Sequence, residues 1–441
     1  MYKSVLSLIL FYSFVCLIPL NPNLVQAQLS WEQINESGFG FSNKRASDMA
    51  VFNSNLYVGT LADNQAGDIS GAQVWRYDDS KQWTQVNEDG FGATGNMAIQ
   101  GMTVFQDALY VGTTNNNAGC EVWRYSDGTW TKVNESGFGE GAMVARIFAV
   151  LDESLYVGVR NDTGGAHEND HENMTGSQVW RYSGSGTGWT KVSEDGFGNI
   201  PSGYNRSVES MAVLDGELYA GTWNDDDGCQ VWHYSGSGTD WTRINENGFG
   251  KAPFEGLSVA LALEIFDEHL YVGTRNDDDG AEVWRYDGGS DWTQINKDGF
   301  GTVASQAVWD MTEYDGKLCA GTFGGQVMCY DGDTDWTQIN ETGFGSSANN
   351  MVTSMTVLNE QLIAGTDNTT EYSQVWSVRS VIQPGDIDCD GIADLGDAIL
   401  ALRILLGING DDICIEADVD GGKKIGLEEV IWILVEISRN K

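Results

Sequence analysis

Near the end of the chain, Asp386, Asp388, Asp390, Asp394 and Asp397 occupy positions 1, 3, 5, 9 and 12 of a twelve-residue stretch whose sixth position is Gly391. Carboxylates at that spacing, joined by the Ile392 carbonyl at position 7, can wrap one Ca2+. This hard cation takes six to eight oxygens, and the glycine permits the sharp turn the wrapping needs. A second stretch starts at Asp418 and Asp420, offers the Lys424 carbonyl and ends at Glu429. Gly422 and Lys423 stand where an acidic ligand and the turn glycine are expected, so the second loop should bind more weakly.

Other residues with chemical potential are scattered. His167 and His171 lie four apart among Glu168, Asp170 and Glu172. A helical segment there could hold a transition metal; an exposed polar insertion is the alternative. Cys120 and Cys229 occupy one repeat position in alternate repeats, too far apart for a disulfide, and read as single thiols. Cys319 and Cys329 jointly replace the Tyr and Arg that other repeats carry in adjacent antiparallel strands, which predicts a cross-strand disulfide. Cys389 and Cys414 can add another to a terminal module with little core.

The elements that must position these residues are repetitive. Trp-Thr-x-Val/Ile-Asn-Glu-x-Gly-Phe-Gly recurs with small variations from Trp31, Trp83, Trp130, Trp189, Trp241, Trp292 and Trp336, at spacings of 44 to 59 residues. That period suits propeller blades. Between the tryptophans lie three more short runs of β-branched and aromatic residues, as in Ser47–Phe52, Leu56–Thr60 and Gln73–Tyr77, bounded by turn residues. Four strands in each of seven units predict an all-β fold, a seven-bladed β-propeller. The last unit stops after Gln374-Val375-Trp376, so the N-terminal strand from Trp31 should complete it and leave no open sheet edge.

Strand alternation puts the loop after each second strand and the Gly-Phe-Gly loop on one face. Asn224–Gly228 and Asn276–Gly280 are acidic there, either as Ca2+ ligands or as solvated turns. At one level of the innermost strands, where other blades carry Ser47, Gln100 or Thr353, three blades carry Arg146, Glu209 and Trp309, and Asp310 follows. Unlike residues on a repeated scaffold are where a ligand site is built. Arg146, Glu209, Trp309 and Asp310 are therefore the candidate ligand-binding residues, and Glu209 and Asp310 the candidate catalytic pair for glycoside chemistry.

The repeats resemble kelch-like and galactose-oxidase-like propellers in strand order and in the Trp opening the last strand. The turns Ser126–Trp130 and Asp331–Trp336 are similar to the Asp-box of sialidases and xyloglucan-cleaving glycosidases. The two EF-hand-type loops, each followed by an apolar helical run, resemble a dockerin. That resemblance implies calcium-driven folding and a cohesin-like protein partner. Leu395-Gly396 and Leu427-Glu428 stand where cellulosomal dockerins carry a hydroxylic pair, and a calcium-stapled terminal domain is the alternative.

Lys3, an apolar run from Val5 to Leu20, and Val25-Gln26-Ala27 form a secretory signal cleaved after Ala27. The domains are then 1–27 signal, 28–380 propeller, 381–384 linker and 385–441 paired-loop module. With 24 Lys+Arg against 64 Asp+Glu and a net charge of −40, the chain lacks the basic face that nucleic acid or an anionic membrane requires. The expected function is recognition of a carbohydrate or protein surface by a secreted, calcium-binding propeller. A polysaccharide hydrolase or lyase, with carboxylates at the channel mouth, is the alternative.

Overall fold

The structure is a computed structural model. It describes residues 29–62, 71–78, 80–161, 175–198, 204–251, 257–332, 335–380, 384–387, 393–407, 413, 417–419 and 424–439. The signal segment, His167, His171, Cys389, Cys414, Asp388, Asp390, Ile392 and Asp420 lie outside the described residues. Two units divide it, one of them Trp31–Val378 and the other containing Arg379–Lys441.

The larger unit is a succession of antiparallel four-strand meanders. The first comprises Asn43–Phe52, Asn55–Ala62, Val74–Tyr77 and Trp83–Gln85, paired in sequence order. Its first two strands are joined by Asn53 and Ser54, both at positive φ, the two-residue hairpin that matches strand twist. Asp267-Glu268 and Asn359-Glu360 repeat that geometry with no glycine.

Aromatic residues make the same contacts from one repeat to the next. Phe91 of a Gly-Phe-Gly segment stacks on Trp123, with ring centroids 4.6 Å apart, and meets Trp130 edge-on at 5.1 Å. The Trp130 indole donates to the Val86 carbonyl of the preceding repeat at 2.8 Å. Gly90 and Phe91 both adopt φ near 57°, a left-handed turn costly for a bulky residue. The two ring contacts made by Phe91 offset that cost. Tight packing explains the glycine of Leu-Tyr-Val-Gly-Thr, since a Cβ on Gly59 would lie 2.5 Å from Ile99 in the next repeat.

Each first strand contacts the first strands of the repeats on either side, and the last contacts the first. Single backbone bridges join the end of each second strand to the start of the following first strand: Leu61–Ala98, Thr114–Val144, Arg160–Ser207, Trp223–Val259, Arg275–Ala307 and Phe323–Met351. Asp367 and Arg45 make the same bridge from the final repeat back to the first. The strand Leu29–Gln33 pairs with Val375–Ser380, and Val375 N–H donates to Asn35 Oδ1 at 2.7 Å. The result is a propeller-like all-β fold with apolar side chains packed between successive repeats.

The smaller unit contains two helices, α1 (Leu395–Leu405) and α2 (Leu427–Arg439). Asp394 caps α1 in a reciprocal capping box with Asp397, which satisfies two orphan N–H groups. Ile387, Ala398, Ala401, Ile425, Val430 and Ile433 share one small core. No helix among the described residues is long and apolar enough to cross a membrane.

Candidate functional site

The first strands carry a device that repeats at one level. Opposite the glycine of each second strand the register slips by one residue, as between Ala46–Thr60 and Asp48–Gly59. The residues left over are Ser47, Gln100, Arg146, Glu209, Leu261, Trp309 and Thr353. A β-bulge frees one side chain from the alternation of the strand and re-aims it. Arg146, Glu209 and Trp309 therefore share a backbone irregularity as well as a repeat position.

Three of the bulge residues form a chain across successive repeats. Arg146 Nε donates to Glu209 Oε2 at 2.7 Å, and its Nη1 donates to Gln100 Oε1 at 2.5 Å. Both members of the ion pair are largely shielded from solvent. Asp310, one residue beyond the bulge at Trp309, has different partners. Its carboxylate accepts N–H groups from Met311 at 2.9 Å and Met355 at 2.6 Å. Asp48 does the same with Met49 and Met102, at 2.8 and 2.6 Å. Each aspartate thus satisfies an N–H on the otherwise open inner edge of the next repeat. The structure joins Glu209 to Arg146 and makes Asp310 the counterpart of Asp48; no hydrogen bond among the described residues links Glu209 with Asp310.

Burial pushes the Asp48 carboxyl up to about 7, against the backbone donors and Arg146, which favour its ionised form. Glu264 is also pushed up to about 7 by burial, and Glu313 adds to the shift. Asp310 is held well above the usual carboxylate range by burial, then by Asp48 and Glu264.

A second set of residues escaped the sequence reading. The second residue after the glycine of each second strand sits on the ring of bridges, and it is Arg160, Trp223, Arg275, Phe323 or Asp367 in different repeats. Arg160 and Arg206 lie over the Trp223 ring at 5.2 and 4.3 Å. Asp225 accepts from both Trp223 Nε1 and Arg206 Nη1 at 2.6 Å, and Asp277 receives a two-pronged bond from Arg275 at 2.8 and 2.9 Å. Arg45 lies 5.2 Å over the Trp309 ring while its Nε donates to Asp367 at 2.6 Å. Trp223, Trp309 and Phe323 pack against buried Val259, Leu261 and Ala307. One position that changes type within a constant frame was the available signal.

The acidic loops are organised by their asparagines. Asn224 Oδ1 accepts from Asp226 and Asp227 N–H at 3.1 and 2.9 Å, and Asn276 does likewise for Asp278 and Asp279. These are side-chain-closed turns. Among the described residues no group of three His, Cys, Asp or Glu is placed to hold a metal.

In the smaller unit, the two position-12 carboxylates behave alike. Asp397 accepts from Ile387 and Asp394 N–H at 2.6 and 2.7 Å, and Glu429 accepts from Val419 and Gly426 N–H. In each loop these donors are positions 2 and 9. Asp386, Asp397 and Glu429 are buried, while Asp394, Asp418 and Lys424 are more exposed. Elsewhere, a disulfide joins Cys319 to Cys329. Cys120 and Cys229 are buried free thiols, and burial pushes both up, away from the reactive thiolate.

No protein-family model and no curated protein matches the chain. Among solved structures, YCF48 from Cyanidioschyzon merolae is similar with a TM-score of 0.53 at 10% identity, over 79% of this chain and 98% of that one. The WD40 β-propeller domain of Doa1 gives 0.49 at 12%, over 79% and 97%. The computationally designed protein Ika8 gives 0.45 at 12%, over 78% and 99%. At such identity the likeness to YCF48 shows a shared fold alone. Its propeller-like character follows from the strand order and the ring of bridges described above.

Proposed function

We propose that this chain is a secreted binding protein. Its larger unit is a seven-bladed propeller, closed by the N-terminal strand, that recognises a carbohydrate or protein surface through the face bearing the bulges. The observation that carries this reading is the set of bulges. A device that re-aims one side chain recurs at one level, and the side chains it presents are unlike one another. Binding suits the mouth better than turnover. Glu209 is hydrogen-bonded to Arg146 and Asp310 to backbone donors, and among the described residues no hydrogen bond joins the two into a cooperating pair. The test is a panel of plant and algal polysaccharides, screened in parallel for retention and for new reducing ends. Retention without cleavage is expected. Turnover abolished by both Glu209→Gln and Asp310→Asn would replace binding with a hydrolase or lyase.

The C-terminal unit fits two Ca2+ loops that clip the protein to a cohesin-like partner. Buried Asp386, Asp397 and Glu429 support this reading, because buried carboxylates are normally paired or coordinate metal. In loop one Asp388, Asp390, Asp394 and the Ile392 carbonyl would complete the oxygens; in loop two Asp418, Asp420 and the Lys424 carbonyl would do so. Bound Ca2+ supplies the charge that lets these carboxylates converge. The helices also leave apolar stripes in solvent: Leu395, Ile399, Leu402 and Leu406 on and just beyond α1, and Leu427, Ile431 and Leu434 on α2. Such stripes are uncommon without a partner.

A further inference from the structure

We propose that this chain is built for an export route that leaves Asn-x-Ser/Thr unmodified, because a glycan added to it before folding would block assembly of the larger unit. This rests on the reading of the chain as secreted and narrows the compartment. Asn-x-Ser/Thr, the acceptor sequence for Asn-linked glycans, occurs at Asn35, Asn134, Asn161, Asn173, Asn205, Asn340 and Asn368. In a glycosylated secreted protein such asparagines lie on surface loops. Here Asn173 lies outside the described residues, and the other six are between 0% and 8% exposed.

Their amide groups hold strands and repeats together. Asn35, Asn134 and Asn340 each accept an N–H from a third strand, that of Val375, Val122 or Val327, at 2.7 Å. Each also donates to a backbone carbonyl, that of Ser373, Cys120 or Gly325. Asn205 spends both amide N–H groups, on the Gly196 carbonyl and on Gln230 Oε1. Asn161 donates to the Glu140 carbonyl and Asn368 to Asn349 Oδ1. Glycan transfer from a lipid diphosphate donor joins the first sugar to the amide nitrogen, and the displaced proton leaves with the carrier diphosphate. One N–H is lost, and a bulky polar group is fixed where the interior is close-packed. Transfer precedes folding, so burial in the folded state offers no protection.

The hydroxyl half of the motif also serves the fold. Ser37 Oγ, Ser136 Oγ and Thr342 Oγ1 accept from the side chains of Gln33, Lys132 and Gln338. In the other repeats Asp89, Asp195, Asn247 and Asp298 accept the same bond from Gln85, Lys191, Arg243 and Gln294. Asp or Asn therefore does this work without creating an acceptor sequence. The chain keeps Ser or Thr at three repeats all the same, so nothing in it avoids the motif, and its own repeats supply the conservative replacements.

The test places residues 28–441 behind a borrowed leader in cells that add Asn-linked glycans. Wild type is compared with a variant carrying Ser37→Asp, Ser136→Asp, Thr163→Asp, Ser207→Ala, Thr342→Asp and Thr370→Asp. Ala98 and Ala307 hold the place of Ser207 in other repeats, and Asp226 and Asp278 that of Thr370. Wild type should carry glycans on the six asparagines and be released at least about tenfold less than the variant, because chain that cannot fold is degraded. Blocking synthesis of the glycan–lipid donor should restore release of protease-resistant wild type. In a host that adds no such glycans, wild type and variant should resist protease alike; if the variant does not, the donor block on wild type decides alone. Release of protease-resistant wild type from glycosylating cells, with its buried asparagines modified or bare, would overturn the proposal. So would wild type that stays protease-sensitive when the donor is blocked. Failure of residues 1–27 to export the chain from the non-glycosylating host would overturn the secreted reading instead.

Discussion

The indole nitrogen of Trp31 donates to the carbonyl of Ile339 at 2.9 Å, across 308 residues of sequence. Trp83 makes the same bond to Ile34, and Trp336 makes it to Ile295. Trp31 also meets Phe344 edge-on at 4.9 Å, as Trp130 meets Phe91 in the second repeat. The N-terminal strand, paired with Val375–Ser380, therefore makes the contacts that a fourth strand makes in the second repeat.

From this, Trp31→Ala should destabilise the larger unit by about 2–4 kcal/mol, the range for truncating a large packed side chain. Trp31→Phe, which keeps a ring but loses the bond to Ile339 and part of the indole, should cost less, about 1–2 kcal/mol. Urea unfolding followed by tryptophan fluorescence measures both. Equal and negligible effects would mean that the N-terminal strand is dispensable for closure.

The hairpins at Asp267-Glu268 and Asn359-Glu360 hold glutamate at φ 60° and 62°, where L residues are strained and glycine is not. Glu268→Gly and Glu360→Gly should each stabilise the protein, by about 0.5–1 kcal/mol. Thermal denaturation of the single variants checks the sign, and a lower midpoint in both would contradict the strain argument.

The raised Asp48 and Glu264 carboxyls make stability depend on pH. The native state binds more protons than the unfolded chain between the ordinary carboxylate range and about 7. Their contribution is therefore complete below that range and is lost as pH rises through about 7. Asp48→Asn should remove its share of the slope, so the midpoint difference between wild type and variant should shift in favour of the variant from pH 4.5 to 8.5. A constant difference over that interval would assign Asp48 no part in it.

In the C-terminal unit, Asp397→Ala should abolish calcium binding by the first loop and expose α1 and α2 to protease while sparing the larger unit. It removes both a proposed ligand and the acceptor for Ile387 and Asp394 N–H. Asp418→Ala should do much less, since the second loop already lacks one carboxylate. Calcium titration of the full chain, with peptide mapping after limited proteolysis, decides the order. Two equally strong sites would contradict it.

Much of the fold was legible because each repeat solves one packing problem with one set of residues. The Trp-Thr opening, the Gly-Phe-Gly turn and the glycine beneath Ile99 report local requirements of geometry and close approach, so their recurrence reveals strands, turns and period. The Cys319–Cys329 pairing was legible for the same reason, as a joint exception in adjacent strands. The candidate site was only half legible. Arg146, Glu209 and Trp309 stood out as exceptions within the repeat, but their partners lie in other repeats. Which carboxylate is neutralised by an arginine and which by backbone N–H is decided when the ring brings first strands side by side. Repeat position singled out Glu209 and Asp310 as a candidate carboxylate pair, and spacing could not give their separation. Tertiary packing sets Arg146 against Glu209 and gives Asp310 backbone partners like those of Asp48, because a bulge redirects a side chain by backbone register, and register belongs to the paired strands.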